Sequence, residues 1–285
     1  SSGSKAKITE MLSKKPAARS PQLSELMRSP TGERKAAQYT CMADDAAMSE
    51  PKREAAMLLS AAESALELTD TKECLKVAGD ALEKFKKLGD AGKDGVTDTL
   101  HLMIDAHRME AYMSYSDPEE GVKLAKEELA KFKEAGDKNG IATMQLAMAE
   151  IGADNVRLNK RKEALEPVTE ALTLAKEIGN KKLEAKCLLE SALLHFSTNE
   201  ADKMLEEAEA ALKIAEEVKD SMTKAKALYA VSLASVKNKS WETAVQKATL
   251  AQKVFEEMGK KAFEAGTLHA MAMWRLVDEK PKKAV

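Results

Sequence analysis

The chain has 285 residues, of which 4% are aromatic and 32% charged, and its formal net charge is −2. A charge this close to zero does not point to nucleic acid, and no apolar run reaches the roughly 18–20 residues that a membrane-spanning helix needs. Ala, Leu, Met, Glu and Lys dominate the chain, and this mixture favours helix over strand.

Residues 1–52 differ in composition from the rest of the chain. They hold four of the seven prolines, and residues 1–35 contain eight Lys or Arg against three Glu, an excess of five positive charges. Two short apolar clusters with helical spacing interrupt them, and neither can bury itself alone. We predict a basic, largely extended N-terminal arm over 1–52, with a lead-in helix within 36–47. The expected contact residues of the arm are Ile8, Leu12, Leu23, Leu26 and Met27.

Two Ser-Pro dipeptides in the arm are candidate sites of proline-directed phosphorylation, at Ser20 and Ser29. Phosphates at these serines would offset the positive charge of the arm and could release an electrostatic contact.

From residue 53 onward a similar helix ending returns at a nearly fixed spacing. The successive helix endings lie 47, 43, 40 and 40 residues apart, at Gly89, Gly136, Gly179, Lys219 and Gly259. This period is typical of solenoids built from stacked helical hairpins. The pattern predicts a solenoid over 53–285, with a left-handed residue at the glycine endings. Its helix pairs are 53–69 with 71–88, 92–115 with 118–135, 138–158 with 160–178, 181–197 with 200–218, and 221–238 with 240–258, and 261–278 begins a sixth.

Small residues recur on one face of the second helix of each pair. One column is Cys74, Gly121, Ala164, Met204 and Ala244, and the column four residues later is Ala78, Ala125, Val168, Ala208 and Ala248. Small side chains let helix axes approach closely. We therefore expect these two columns to form the contact between paired helices.

The segment LAKEIGNKKLEA (174–185) resembles the junction motif of the tetratricopeptide repeat family in its form of about 40 residues, and Ala164 and Ala171 match alanines expected there. The chain departs from the family pattern at two places: it has Ser191-Ala192 where Leu-Gly is usual, and His195 where an aromatic residue is usual. The resemblance covers about 53–285 and implies an all-α, right-handed solenoid whose first helices line a concave binding face. That face would contain Leu146, Leu189, Leu193, Tyr229, Leu233, His269 and Met273. Such an apolar lining favours an apolar helix or extended segment as ligand, unless these side chains pack between repeats.

No pattern of catalytic, cofactor-binding or metal-binding residues stands out. The histidines at 101, 107, 195 and 269 lack metal-ligand spacing, so we expect ordinary surface or hairpin histidines. The glycine-rich stretch 89–95 lies at a repeat junction, where a turn explains it. The three cysteines are far apart in helical patterns, which indicates free thiols in an intracellular, reducing compartment.

We predict a non-catalytic scaffold or adaptor that binds other proteins, within a larger complex, through the concave face and the arm. Nucleic-acid binding and direct membrane insertion are not expected. Two alternatives remain: a permanent structural subunit of a large assembly, and the regulatory repeat region of a longer enzyme. The last residues, KPKKAV (280–285), align with SWETAV (240–245) at the start of a second helix. Because a solenoid needs a polar cap, we expect this end to continue or to be covered by a partner.

Overall fold

The computed structural model describes residues 36–154 and 158–279, and within these ranges the chain is an all-α solenoid in which consecutive helices pack against each other. The arm residues Ile8, Leu12, Leu23, Leu26 and Met27 and the serines Ser20 and Ser29 lie outside the described residues. The helices are α1 (Ala36–Asp44), α2 (Glu50–Glu67), α3 (Thr71–Lys87), α4 (Lys93–Ser114), α5 (Glu119–Ala135), α6 (Lys138–Asp154), α7 (Leu158–Glu163), α8 (Leu165–Glu177), α9 (Lys181–Thr198), α10 (Ala201–Glu217), α11 (Ser221–Lys237), α12 (Trp241–Glu257) and α13 (Lys261–Glu279).

The helix pairs follow the predicted boundaries closely, with one exception in the third pair. Its second helix was expected over 160–178 but is divided into α7 and α8. Pro167 lies in the first turn of α8 and has no N–H to donate to Glu163, the last residue of α7. The missing hydrogen bond and the proline ring together explain why the helix breaks there.

The start of the helical array lies further toward the N-terminus than predicted. The expected lead-in helix is present as α1, and α2 begins at Glu50 with Pro51 in its first turn. Tyr39 of α1 is fully buried, packs edge-on against Phe85, and donates a 2.5 Å hydrogen bond to Asp98. Burial, Asp98 and then Glu63 raise the pKa of Tyr39. Of the described residues of 1–52, Ala36–Asp44 and those from Glu50 onward are helical, and Tyr39 packs α1 against the array.

The junction residues have the left-handed conformation that the helix endings predicted. Gly136 and Gly179 have φ of 67° and 68°. Lys219, the one of the five repeated helix endings that is not glycine, has φ of 58°. A residue in this conformation ends a helix by redirecting its last hydrogen bonds. Asn180 and Asp220 follow directly and accept a hydrogen bond from the first turn of the next helix, so these two junctions each end one helix and start another.

The two predicted columns of small residues are buried in the structure. Every member of both columns is buried, and of the alanines among them only Ala164 exposes any surface, 3%. Because these side chains are short, the axes of paired helices can come close together.

The array is curved, with the first helices on the inside. Successive first helices contact one another in the order α2, α4, α6, α9 and α11, whereas the described second helices make at most marginal contact from one pair to the next. Elements on the inside of a curve lie closer together than those outside. We call α2, α4, α6, α9 and α11 the inner row.

The curvature brings distant parts of the chain together. Lys260, in the turn between α12 and α13, forms a 2.6 Å ion pair with Glu67 at the end of α2, although 193 residues separate them. Both side chains are largely covered, with 15% and 26% of their surfaces exposed. This contact closes the solenoid between its first and last described pairs.

Reversing the charge at Lys260 is expected to open this closure. Lys260→Glu places two carboxylates together, so the radius of gyration measured by small-angle X-ray scattering should increase. The free energy of unfolding should fall by only about 1 kcal/mol, since partly exposed ion pairs contribute little. Lys261→Glu is the matched control, because Lys261 is exposed and pairs locally with Glu264. An unchanged radius in Lys260→Glu would show that the closure does not depend on this pair.

Candidate functional site

The inner row contains a group of charged side chains between α4 and α6 that is buried except for Asp154 at its edge. His101, Asp105 and Arg108 follow one another at i, i+4 and i+7 on α4, and Glu150 and Asp154 are four apart on α6. These spacings place each set on one face of its helix. The two faces meet because α4 and α6 are neighbours in the inner row. We call these five residues the inner-row cluster.

Arg108 is at the centre of the inner-row cluster. Its Nη1 donates to Asp105 Oδ1 at 2.6 Å and to Glu150 Oε2 at 3.0 Å, and its Nε donates to Asp154 Oδ2 at 2.8 Å. His101 Nε2 lies 2.9 Å from the same Glu150 oxygen. Burial opposes the charged guanidinium, but Asp154, Glu150 and Asp105 outweigh it and raise the pKa of Arg108. The charge of Arg108 is therefore fixed and held by three carboxylates.

Three members of the cluster also have the chemistry of metal ligands. His101, Asp105 and Glu150 place one possible ligand atom each within 4.8 Å of the others. Arg108 already donates to both carboxylates, so a divalent cation would have to displace the guanidinium. The arrangement is that of a buried ion network.

A second polar group lies between α9 and α10. Ser191 Oγ donates to Glu207 Oε1 at 2.9 Å, and His195 Nε2 lies 3.6 Å from Glu207 Oε2. Burial raises the pKa of Glu207, while Ser191 and His195 act in the opposite direction. Since the serine donates to the carboxylate and not to the imidazole, the group lacks the nucleophile–base hydrogen bond of acyl-transfer enzymes.

The seven residues predicted to line the concave face are divided between core and surface. Five are at most 7% exposed: Leu146, Leu189, Leu193, Tyr229 and Leu233. In the structure these five side chains are packed against neighbouring helices, because α6, α9 and α11 are covered on nearly every side, and Tyr229 also stacks on Trp274. His269 is exposed and Met273 is 48% exposed on α13.

Sequence reasoning missed the inner-row cluster. His101 was expected to be an ordinary surface or hairpin histidine, yet only 3% of it is exposed. One signal was present: at the spacings of 43 and 40 residues, Glu150 occupies the position of Leu193 and Leu233. A carboxylate in an otherwise apolar column indicates a buried charge, and a buried charge requires a partner.

The exposed side of α13 forms a different kind of surface. Leu268, Ala272 and Leu276 stand at i, i+4 and i+8, and the two leucines are 48% and 57% exposed. Forty residues earlier, Leu228 and Ser232 are almost completely covered. We call this side of α13 the end face. Beside it, a groove of about 370 Å³ is lined by Trp241, Glu242, Val245, Gln246, Trp274 and Arg275.

The cysteines at 41, 74 and 187 are free thiols, and the last two are buried. Burial, followed by Asp105 and Glu63, raises the pKa of Cys74 to about 12, so this thiol stays protonated and unreactive near neutral pH.

No helix in the described ranges combines the length and the apolar character needed to cross a membrane. Comparison of the chain with protein-family models and with curated proteins finds no match.

Proposed function

We propose that this chain is a non-catalytic protein–protein interaction scaffold of the tetratricopeptide class, and that a helix or helix pair of a partner protein binds its end face. The observation that supports this is a difference in exposure between two leucines that occupy equivalent positions of successive first helices, forty residues apart. Leu228 is 4% exposed because further helices pack over α11, whereas Leu268 is 48% exposed on α13. Within this array, the equivalent face of α11 is covered by neighbouring helices. We therefore expect the end face of α13 to bind a helix as well.

The amino acids of the end face suit such an occupant. An apolar stripe at i, i+4 and i+8 matches the face that an amphipathic helix presents, and the groove adds two tryptophans, Trp241 and Trp274. Aromatic side chains are enriched at binding surfaces because each buries a large area at a small entropic cost. The partner should therefore offer leucine- or aromatic-rich helical turns.

Introducing negative charge on the end face tests this proposal. Leu268→Glu with Leu276→Glu should weaken capture of the partner from the native source by about a hundredfold or more, since each leucine contributes roughly 1.5–3 kcal/mol when buried. Mass spectrometry of the captured proteins, followed by titration of the identified partner, measures the effect.

The matched control is Met57→Glu with Met113→Glu, two side chains that are 57% and 45% exposed on α2 and α4. It adds the same charge away from the end face and should leave capture unchanged. If the end-face variant keeps both its helical circular dichroism and its partner, the proposal is wrong. The dissociation rate of the complex then separates an exchangeable adaptor from a permanent subunit of an assembly.

A further inference from the structure

One side of α13 is already packed against α12. Phe263 stacks on Phe255 of α12 with the ring centroids 5.0 Å apart, and Thr249 Oγ1 of α12 donates to the sulfur of Met271 at 3.5 Å. Phe263 and Met271 are both at most 7% exposed. The end face lies on the other side of the same helix, where Leu268 is 48% exposed. The contact of α13 with the helix before it is therefore separate from the end face.

The surroundings of α11 show which helix covers the equivalent side. α11 lies between two second helices, α10 before it and α12 after it, and these make its two most extensive contacts. Because α12 precedes α13 as α10 precedes α11, the end face corresponds to the side of α11 that the following helices cover, and α12 is the first of them. On that side Leu228 and Ser232 are at most 4% exposed. The end face therefore offers the position of a second helix.

Second helices share a buried face of small side chains. In α12 this face consists of Ala244, Ala248 and Ala251, which are 0% exposed, and it ends at the buried Phe255. These positions stand at i, i+4, i+7 and i+11, on one side of the helix. The same spacing recurs in α3, where the residues are Cys74, Ala78, Ala81 and Phe85. Because its central residues are small, a second helix can come close to the large side chains of a first helix.

Arg275 adds a requirement for charge. It takes the place of Ser235 on α11, which is 5% exposed and whose carbonyl oxygen accepts a hydrogen bond from Ser240 at the start of α12. The first turn of a second helix bound to α13 would thus lie over the guanidinium, and a covered cation is stable only with a partner of opposite charge. The second helices α3, α5, α10 and α12 each carry an acidic residue in that turn, which in α12 is Glu242. A second helix therefore brings the charge that Arg275 requires.

Resting on the proposed function, we propose that the partner helix bound by the end face is of the second-helix type. It runs antiparallel to α13 and presents small residues at i, i+4 and i+7. An aliphatic residue at i+1, like Val245 in α12, lies beside them, and an aromatic residue at i+11, like Phe255, follows them. Its first turn carries an Asp or Glu that pairs with Arg275. The leucine- or aromatic-rich turns of the partner thus flank a small column instead of forming the centre of the contact.

A synthetic copy of α12 provides the probe. The peptide comprises residues 240–258 with a fluorescein label and with blocked termini, which removes the terminal charges. Its fluorescence anisotropy is measured as the full chain is added, and we expect saturable binding below about 100 μM. The affinity should fall about a hundredfold or more for the chain with Leu268→Glu and Leu276→Glu. It should be unchanged for the chain with Met57→Glu and Met113→Glu.

Two peptide variants separate close packing from general apolar attraction. Ala248→Leu with Ala251→Leu makes the peptide more apolar but fills the small column, so its affinity should fall at least about tenfold because the contact is overpacked. Thr243→Leu with Lys253→Leu places the same side chains at positions that are exposed on α12, and it should leave the affinity unchanged. Equal or tighter binding of the first variant would overturn the proposal.

A charge exchange tests the orientation of the bound helix. Glu242→Lys in the peptide should weaken binding to the natural chain about fivefold. Arg275→Glu in the chain should weaken binding of the unchanged peptide to a similar extent, and combining the two changes should restore the affinity. If the combination binds no better than either change alone, the acidic turn does not lie on Arg275 and the antiparallel placement is wrong.

The peptide titration and the capture experiment can fail independently. If the peptide does not bind while the variant with Leu268→Glu and Leu276→Glu still loses its partner, the second-helix type is wrong and the end-face proposal stands. If the peptide binds as expected while that variant keeps its partner, the end face accepts second helices as inferred, and the proposal that the partner binds there is wrong.

Discussion

Arg108→Ala is expected to lower the free energy of unfolding by about 3–5 kcal/mol, because it removes the cation from a buried ion network. Arg108 donates to Asp105, Glu150 and Asp154, and it is itself only 5% exposed. Without it, Asp105 and Glu150 remain buried among like charges. The expected loss is a large fraction of the stability of a typical domain.

Urea unfolding followed by circular dichroism measures this loss. Arg275→Ala is the control, since Arg275 is exposed on α13 and its removal should cost no more than about 0.5 kcal/mol. Adding Asp105→Asn and Glu150→Gln to Arg108→Ala should recover part of the loss, because the remaining groups are neutral. A loss below about 1 kcal/mol for Arg108→Ala alone would mean that water reaches the carboxylates.

The helix pairs could be predicted from the sequence because their signals are local and repeated. A left-handed residue at Gly136 or Gly179 ends a helix whatever surrounds it, and the columns through Ala78 and Ala125 depend only on the spacing of one helix. Each repeat adds another instance of the same pattern. The break before α8 needed only Pro167, a signal that is equally local.

The side-chain contacts and the burial of the inner row could not be predicted in the same way. His101 and Glu150 are 49 residues apart, and no local spacing connects them. The pattern of Leu189 and Leu193 is the same whether a helix lines an open groove or is enclosed by its neighbours. The curvature of the array decides between these cases, and it depends on contacts among all the helices at once, including the pairing of Lys260 with Glu67.

One packing contact changes its amino acids from repeat to repeat while keeping its place. In the second junction Phe132 lies against Gly140, where an added Cβ would overlap the phenyl ring. Forty-three residues later the equivalent pair is Ala175 and Leu183, both buried. At the second junction the large side chain, Phe132, is on the second helix of a pair, whereas at the next junction the large side chain, Leu183, is on the first helix of the following pair. The two pairs therefore fill similar space with opposite arrangements of large and small.

This exchange predicts strong coupling between Phe132 and Gly140. Gly140→Leu alone should cost about 1–3 kcal/mol by overpacking, and Phe132→Ala alone about 2 kcal/mol of lost burial. The double variant recreates the pair found at Ala175 and Leu183, so it should cost only about 1 kcal/mol. A double-mutant cycle of urea unfolding would then give a favourable coupling of roughly 2–4 kcal/mol.

Gly79→Leu serves as the control for placing leucine at a helical glycine, since nothing lies within 4 Å of an added Cβ at Gly79. It should be neutral or stabilise the protein by about 0.5 kcal/mol, because glycine is a poor helix former. If the costs at Phe132 and Gly140 simply add, the two positions do not share one space, and each junction is packed independently of the pattern in the others. A coupling of the expected size would instead mean that these two junctions keep a similar volume at this contact, whichever helix supplies the large side chain.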